Sequence, residues 1–336
     1  MGIPQILFYK RILIEMGEWL DTHREEFFQK YSDEEIVKDI QEYMYGKGRL
    51  HLYFRHFYEE VIYKSVGAKG APLNKNFPQK TPMDALESDE FISFALNYCK
   101  EHSDFFTDKM SDCAKMKCFF QNKRPRKVAN FPPREARRLI FSKFPEYDLF
   151  DAPLNIHDPS SGFGSRQAAV LLNGCNYYST DVNAELHECL KDAYSFMKKY
   201  HLTRGKCDLR LQGSEERIEE WKDKMDISFT SPPYFNLEIY SSDKAKSTKN
   251  YDNYTLWLDE YLRPTCENVL YYLKSGGYAM INIKNLSKKE PIFDDFVKAF
   301  LDLGMKRLSD EHLHISSKSW NNEETFLEPV MVFQKV

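Results

Sequence analysis

Two hydrophobic rhythms share this sequence. Up to about residue 66 the apolar positions recur at helical spacing, as in Ile12, Leu13, Met16, Trp19 and Leu20, with Glu and Lys between them. Ser32-Asp-Glu-Glu35 before Ile36 has the form of a capping box that opens a helix. His51 to Tyr58 is dense in aromatics and reads as a helix packing an aromatic face into its own core, with contact to DNA as the sharper alternative. Residues 67–82 are rich in Gly, Pro, Asn and Lys and read as a loop, and a further helix is expected from about Asp84 to Lys100.

After Tyr147 the rhythm changes to short β-prone runs alternating with helical ones. Strands are expected at 154–157, 175–180, 207–211, 226–229 and 278–283, and helices at 165–173, 184–200, 254–273 and 293–303. Such alternation implies a mostly parallel sheet with helices on both faces. Two last runs, 305–315 and 326–335, lack a helix between them and predict an antiparallel hairpin at the sheet edge.

Composition narrows the class. With 336 residues, 42% hydrophobic and 29% charged, the chain accommodates one catalytic domain and one appended domain. We place them at residues 126–336 and 1–125. Seven scattered cysteines do not form a complete disulfide framework, and neither a leader pattern nor an apolar run of membrane-spanning length is evident, so a cytoplasmic protein without a membrane partner is expected. Cys99, His102, Cys113 and Cys118 lack the paired short spacings of a zinc ribbon and read as ordinary packed side chains, with no metal expected.

The net charge of −4 gives no global sign of a nucleic-acid partner, but charge is uneven. Between Lys115 and Arg138 there are nine positive residues and one acid, Glu135. A solvated surface is the plain reading. Phosphate contact, centred on Lys123, Arg124, Arg126 and Lys127, is the reading that nucleic-acid chemistry downstream favours.

Two stretches carry that chemistry. Asp158-Pro-Ser-Ser-Gly162-Phe-Gly164-Ser follows the first expected strand and opens a helix, where glycines permit a tight turn and close approach of a ligand. Asp181 stands 23 positions later, after the second strand, where an acid can hold ribose hydroxyls. Gln167 sits where a dinucleotide fingerprint has its last glycine, which points to a nucleoside cofactor without pyrophosphate, S-adenosylmethionine. The second stretch is Thr230-Ser-Pro-Pro-Tyr-Phe235, after the fourth strand. Its two prolines fix φ, remove two donors and hold the preceding residues extended. The corner exposes carbonyls, a serine hydroxyl and an aromatic ring, suited to a planar base; an ordinary strand-to-loop turn is the plain alternative.

Together these stretches resemble the DNA amino-methyltransferases, which methylate cytosine N4 or adenine N6. The resemblance spans about residues 130–336. It implies a Rossmann-like α/β domain, a cofactor site at Asp158, Ser160, Gly162, Gly164, Asp181 and Ser214, and a catalytic motif Ser231-Pro232-Pro233-Tyr234. Phe131 and Pro132, within Asn130-Phe-Pro-Pro-Arg-Glu135, match a segment that closes over the methionine part of the cofactor in some members. The partner implied is double-stranded DNA with the target base flipped out, cytosine N4 being slightly favoured by Ser231. Cytosine C5 chemistry needs a nucleophilic cysteine, usually after proline, and the chain has no Pro-Cys pair. An RNA base, or a binding module that kept the fold and lost turnover, are the alternatives. The family's usual place for a target-reading domain is empty, leaving the N-terminal 125 residues as the candidate reader.

Overall fold

The computed structural model describes residues 18–65, 73–79, 81–102, 106–107, 109–123, 125, 130–148, 151–235, 251, 253–285, 290–319 and 322–336. These fall into two units, one within Met1–Gln41 and Leu50–Ala129, the other within Glu42–Arg49, Asn130–Leu237 and Asp243–Val336. Ile12, Leu13 and Met16, which set the first helical pattern, lie outside the described residues.

The first unit is helical. It holds α1 (Glu18–Phe27), most of α2 (Asp33–Met44), α3 (His51–Tyr63), α4 (Pro82–Leu86), α5 (Asp89–Glu101) and α6 (Asp112–Asn122). The capping box that opens α2 forms in both directions: Glu35 N donates to Ser32 Oγ at 3.3 Å and Ser32 N to Glu35 Oε2 at 2.9 Å. Ser88 and Ser111 cap α5 and α6 in one direction, each hydroxyl accepting from the backbone N–H three residues on. The aromatics of α3 turn inward, as the sequence suggests. Tyr63 meets Phe27 edge to face at 5.3 Å, and Tyr53, Tyr58 and Tyr63 are buried. Phe91 of α5 then stacks on Phe120 and meets Phe119 edge-on, so helices only three turns long bury an apolar core by shared rings.

The second unit is the α/β domain. Its strands are β1 (Asn155–Asp158), β2 (Asn176–Asp181), β3 (Cys207–Leu211), β4 (Met225–Thr230), β5 (Leu273–Asn282), β6 (Lys306–Arg307), β7 (Glu311–Ser319) and β8 (Asn322–Gln334). They form one sheet in the order β3-β2-β1-β4-β5-β8-β6, with β7 also paired to β8. β1 to β5 are mutually parallel, and β8 runs antiparallel to β5 and β6. The terminal hairpin thus forms where expected, with the end of β8 seated between β5 and β6.

The connecting helices are α7 (Pro133–Phe141) before β1, α8 (Ser165–Leu171), α9 (Ala184–Lys199), then α10 (Tyr254–Trp257), a π turn at Leu258–Leu262 and α11 (Arg263–Tyr272), with α12 (Ile292–Asp302) last. The order runs from β1 outward through β2 to β3 and, in the opposite direction, through β4 to β5. Connections of the usual right hand in such an order put their helices on opposite faces of a sheet. The order reverses between β1 and β4, and the crevice above that switch is where such sheets receive ligands. The π turn has a local cause. Pro264 has no N–H to give the Glu260 carbonyl, and the Tyr251 hydroxyl donates to that carbonyl at 3.4 Å instead. Among the described residues no helix is long and apolar enough to cross a membrane.

Candidate functional site at the switch point

β1 and β4 are paired directly, His157 opposite Ser228, so the glycine stretch and the Pro-Pro stretch leave the sheet side by side. The glycine loop is built on a buried charge. Asp158 is fully buried, and its carboxylate accepts from Arg166 Nε at 2.7 Å, Tyr177 OH at 2.8 Å and Ser160 N at 3.2 Å. Arg166 also donates to the Ser160 carbonyl, bracing the loop from inside. A buried carboxylate is tolerable only when paired and hydrogen-bonded, and here the donors come from the loop, its helix and the neighbouring strand β2. Asp158 therefore shapes the cofactor-side loop, with its carboxylate occupied by protein donors.

Gly162 and Gly164 have φ of +56° and +71°, the left-handed region that side chains disfavour, and Gly164 sits at the start of α8. Two further ties fix the loop to β2: Ser161 N donates to Thr180 O at 3.2 Å, and Thr180 Oγ1 to Pro159 O at 2.9 Å. Asp181, at the end of β2, accepts from the backbone N–H of Asn183 at 2.9 Å and from that of Gly162. Burial still pushes its carboxyl up to about 6, against those hydrogen bonds.

On the third side, Ser214 follows β3 and its hydroxyl lies 2.8 Å from that of Thr265. Tyr261, carried inward on the π turn, hydrogen-bonds through its hydroxyl to both Ser160 and Ser214. Burial keeps that phenol protonated well beyond the usual range. The Asn130–Pro132 segment closes the fourth side. Asn130 Nδ2 donates to the Phe163 carbonyl at 3.2 Å, and the Phe131 ring lies under the Arg166 guanidinium and edge-on to Phe229. Pro132 then leads directly into α7.

The Pro-Pro corner is held differently. Thr230 and Pro232 are buried, while Ser231, Pro233 and Tyr234 are partly exposed beside the loop. The Ser231 hydroxyl makes no hydrogen bond among the described residues. The Tyr234 hydroxyl accepts from Lys284 N at 3.2 Å, at the end of β5, and Phe235 packs into an aromatic cluster with Tyr254 and Trp257.

The structure therefore gathers Phe131, Pro132, Asp158, Ser160, Gly162, Gly164, Asp181, Ser214 and Ser231 to Tyr234 at one end of the sheet. Sequence reasoning missed Arg166, Tyr177, Tyr261 and Thr265, and gave Asn130 only as the first residue of the segment that contains Phe131 and Pro132. Of the expected phosphate contacts, Arg124, Arg126 and Lys127 lie outside the described residues, and Lys123 Nζ rests 4.9 Å from the centre of the Tyr98 ring. Other cations of the basic run serve structure. Lys117 turns inward to Glu59, and Arg138 is forked on Glu135. The Cys99 and Cys113 thiols are buried and raised by that burial to about 11 and 12, and His102 stacks on Tyr98. No group of three metal-ligating side chains is found among the described residues.

No protein-family model matches the sequence, and no curated protein matches it. Solved structures do resemble it at low identity. One is a precorrin-6y C5,15-methyltransferase from Geobacter metallireducens, 15% identical over 60% of this chain and 87% of that one, with a TM-score of 0.38. A second is an S-adenosylmethionine-dependent O-methyltransferase from Thermotoga maritima, 11% identical over 62% and 68%, with a TM-score of 0.39. A third is described as a putative RNA methyltransferase from Pyrococcus horikoshii, 13% identical over 73% and 98%, with a TM-score of 0.38. The substrate named for each is that protein's own.

Proposed function

We propose that this protein is an S-adenosylmethionine-dependent methyltransferase acting on an exocyclic amino group of a DNA base, with cytosine N4 favoured over adenine N6. The observation that carries the reading is the adjacency of the two stretches. A left-handed glycine loop with a following acid, and a Ser-Pro-Pro-Tyr corner, leave neighbouring parallel strands at the switch point.

The residues fit a nucleoside cofactor. Asp181 offers carboxylate oxygens where ribose hydroxyls would donate, and the loop contributes backbone rather than side chains where a ligand approaches closely. Ser214 and Tyr261 present hydroxyls on the opposite wall. When bound, S-adenosylmethionine supplies an electrophilic methyl group on a sulfonium sulfur.

The protein's part is to hold the acceptor. An aromatic amino group is a weak nucleophile because its lone pair is delocalised into the ring. The Ser231 hydroxyl and the Pro232 carbonyl would accept its two N–H bonds, favouring a pyramidal nitrogen whose lone pair is free to attack. Tyr234 would stack on the flipped base, and its bond to Lys284 N holds the ring in place. After transfer the extra proton leaves to solvent through the partly exposed Ser231 side.

Plasmid DNA and a radiolabelled cofactor test the reading. The parent protein is expected to label DNA, and the Ser231→Ala/Tyr234→Ala double variant to lose that activity while still binding cofactor. Equal labelling by the two proteins would remove the corner from the active site. Labelling of RNA in place of DNA would move the substrate and leave the site intact.

A further inference from the structure

Along α7, on the side leading away from the glycine loop, the second unit holds a cavity of about 460 Å³. Its cationic lining is Arg134, Arg137 and Arg138, with no acid among the lining residues, and its apolar wall includes Phe141, Phe144 and Tyr147. The helical spacing of Arg134, Arg137, Arg138 and Phe141 makes this one face of α7. Two of the three guanidinia are occupied. Arg134 donates to the carbonyls of Gly46 and Gly48 at 2.6 and 2.7 Å, closing the turn after α2. Arg138 is forked on Glu135. Arg137 is exposed and makes no hydrogen bond or ion pair among the described residues.

Beside it stands Tyr43, 4% exposed, whose hydroxyl has no hydrogen-bond partner among the described residues. Arg137 and Arg134 both act electrostatically on that hydroxyl, yet burial pushes it up to about 12, so at neutral pH it is a proton donor. A buried donor without an acceptor is destabilising, and an anion brought between it and Arg137 would relieve that cost. The volume lies in the range of small-molecule sites, and rings flank the cationic end.

We propose that this cavity is a second ligand site that binds a phosphate ester carrying a planar ring, the phosphate between Arg137 and the Tyr43 hydroxyl and the ring against Phe141 and Phe144. The chemistry is that of a nucleotide, either free or as one unit of a DNA strand. The cofactor pocket and the catalytic corner take no part in it, so this site stands whether or not the methyl-transfer reading holds.

Calorimetric titration of the full chain tests it with thymidine 5′-monophosphate, thymidine and a short single-stranded oligodeoxynucleotide. Thymidine monophosphate is chosen because it lacks the adenine that the cofactor site would take. The monophosphate is expected to bind at least about tenfold tighter than thymidine, since the charge-assisted contacts are made to phosphate. Arg137→Glu should weaken the phosphate ligand about tenfold or more, Arg137→Lys less, and Tyr43→Phe about threefold. Tyr234→Ala, which disables the corner, should leave the Arg137-dependent part of monophosphate binding unchanged. Loss confined to the oligodeoxynucleotide identifies a strand as the source, and loss confined to the monophosphate identifies a free nucleotide. Thermal unfolding of each variant shows that the fold persists. Undiminished binding of both phosphate ligands by folded Arg137→Glu overturns the proposal, as does thymidine binding as tightly as its monophosphate.

Discussion

The glycine loop and the Pro-Pro corner leave adjacent strands, yet they are made rigid by opposite means. The loop is held from beneath by a buried ion pair, Asp158 with Arg166, and by hydroxyls that tie it to β2. The corner has no such foundation: its stiffness is covalent, in Pro232 and Pro233, with Tyr234 and Phe235 anchoring its far end. A site for a bound nucleoside benefits from fixed backbone donors and acceptors. A site that receives an acceptor nitrogen benefits from unoccupied oxygens, and prolines rigidify a chain without consuming them. Stability should therefore reside in the loop and rate in the corner.

The sharpest way to break that contrast is Arg166→Met. It strands the Asp158 carboxylate in the interior with, among the described residues, only Tyr177 OH and Ser160 N as donors, and removal of one partner from a buried pair costs about 3–5 kcal/mol. A fall in the unfolding midpoint on the order of 10 °C should follow. The Asp158→Asn/Arg166→Met double variant should recover part of it, because no uncompensated charge remains. By contrast, Pro232→Ala should shift stability by only about 0.4–1 kcal/mol, through the entropy of the unfolded chain. Equal losses in the two places would dissolve the distinction.

At the corner, Ser231→Ala should lower single-turnover methyl transfer by about 10²–10³, as removal of a preorganised polar group does. Affinities for DNA and cofactor should change little, because that bond strengthens as the nitrogen pyramidalises. Tyr234→Ala should act earlier and more weakly. Stacking is worth about 1–3 kcal/mol per base, so the loss should appear in capture of the flipped base, read by fluorescence of a 2-aminopurine placed at the target. A Tyr234→Ala protein that binds normally but transfers slowly would shift the ring's role from capture to alignment.

What the sequence made legible follows the range of the interactions. β-prone runs, glycines that need left-handed φ and the double proline act locally, and each sits where the periodicity puts it. Arg166 and Tyr177 were not legible as partners of Asp158, since their meeting depends on how β1, β2 and α8 pack. Tyr261 looked like one more apolar helix position. Pro264, three residues on, was the available signal: a proline inside a helical pattern forces a local adjustment, and here the adjustment turns Tyr261 toward the loop. The basic run shows the same limit. Charge counting treats Lys117, Arg134, Arg137 and Arg138 alike, but packing gives three of them internal partners.

The smallest effect separates the acid that faces the ligand from the acid beneath it. Burial holds the Asp181 carboxyl near about 6, above its usual range, although Asn183 and Gly162 donate to it. The folded protein therefore binds this proton more tightly than the unfolded chain, and Asp181 makes stability fall as pH rises from about 4 to about 6. Ribose hydroxyls would donate to the ionised form, so binding of a nucleoside cofactor should release the proton and tighten as pH rises through the same window. Affinity for S-adenosylhomocysteine should be about tenfold weaker at pH 5 than at pH 7.5, equivalent to about 1.4 kcal/mol. Asp181→Asn should bind more weakly at pH 7.5 and lose the slope, while its apo stability stops declining between pH 4 and 6. Calorimetry across that range decides the matter. A pH dependence that survives in Asp181→Asn would mean that another group titrates against the cofactor and that Asp181, like Asp158, serves only the loop.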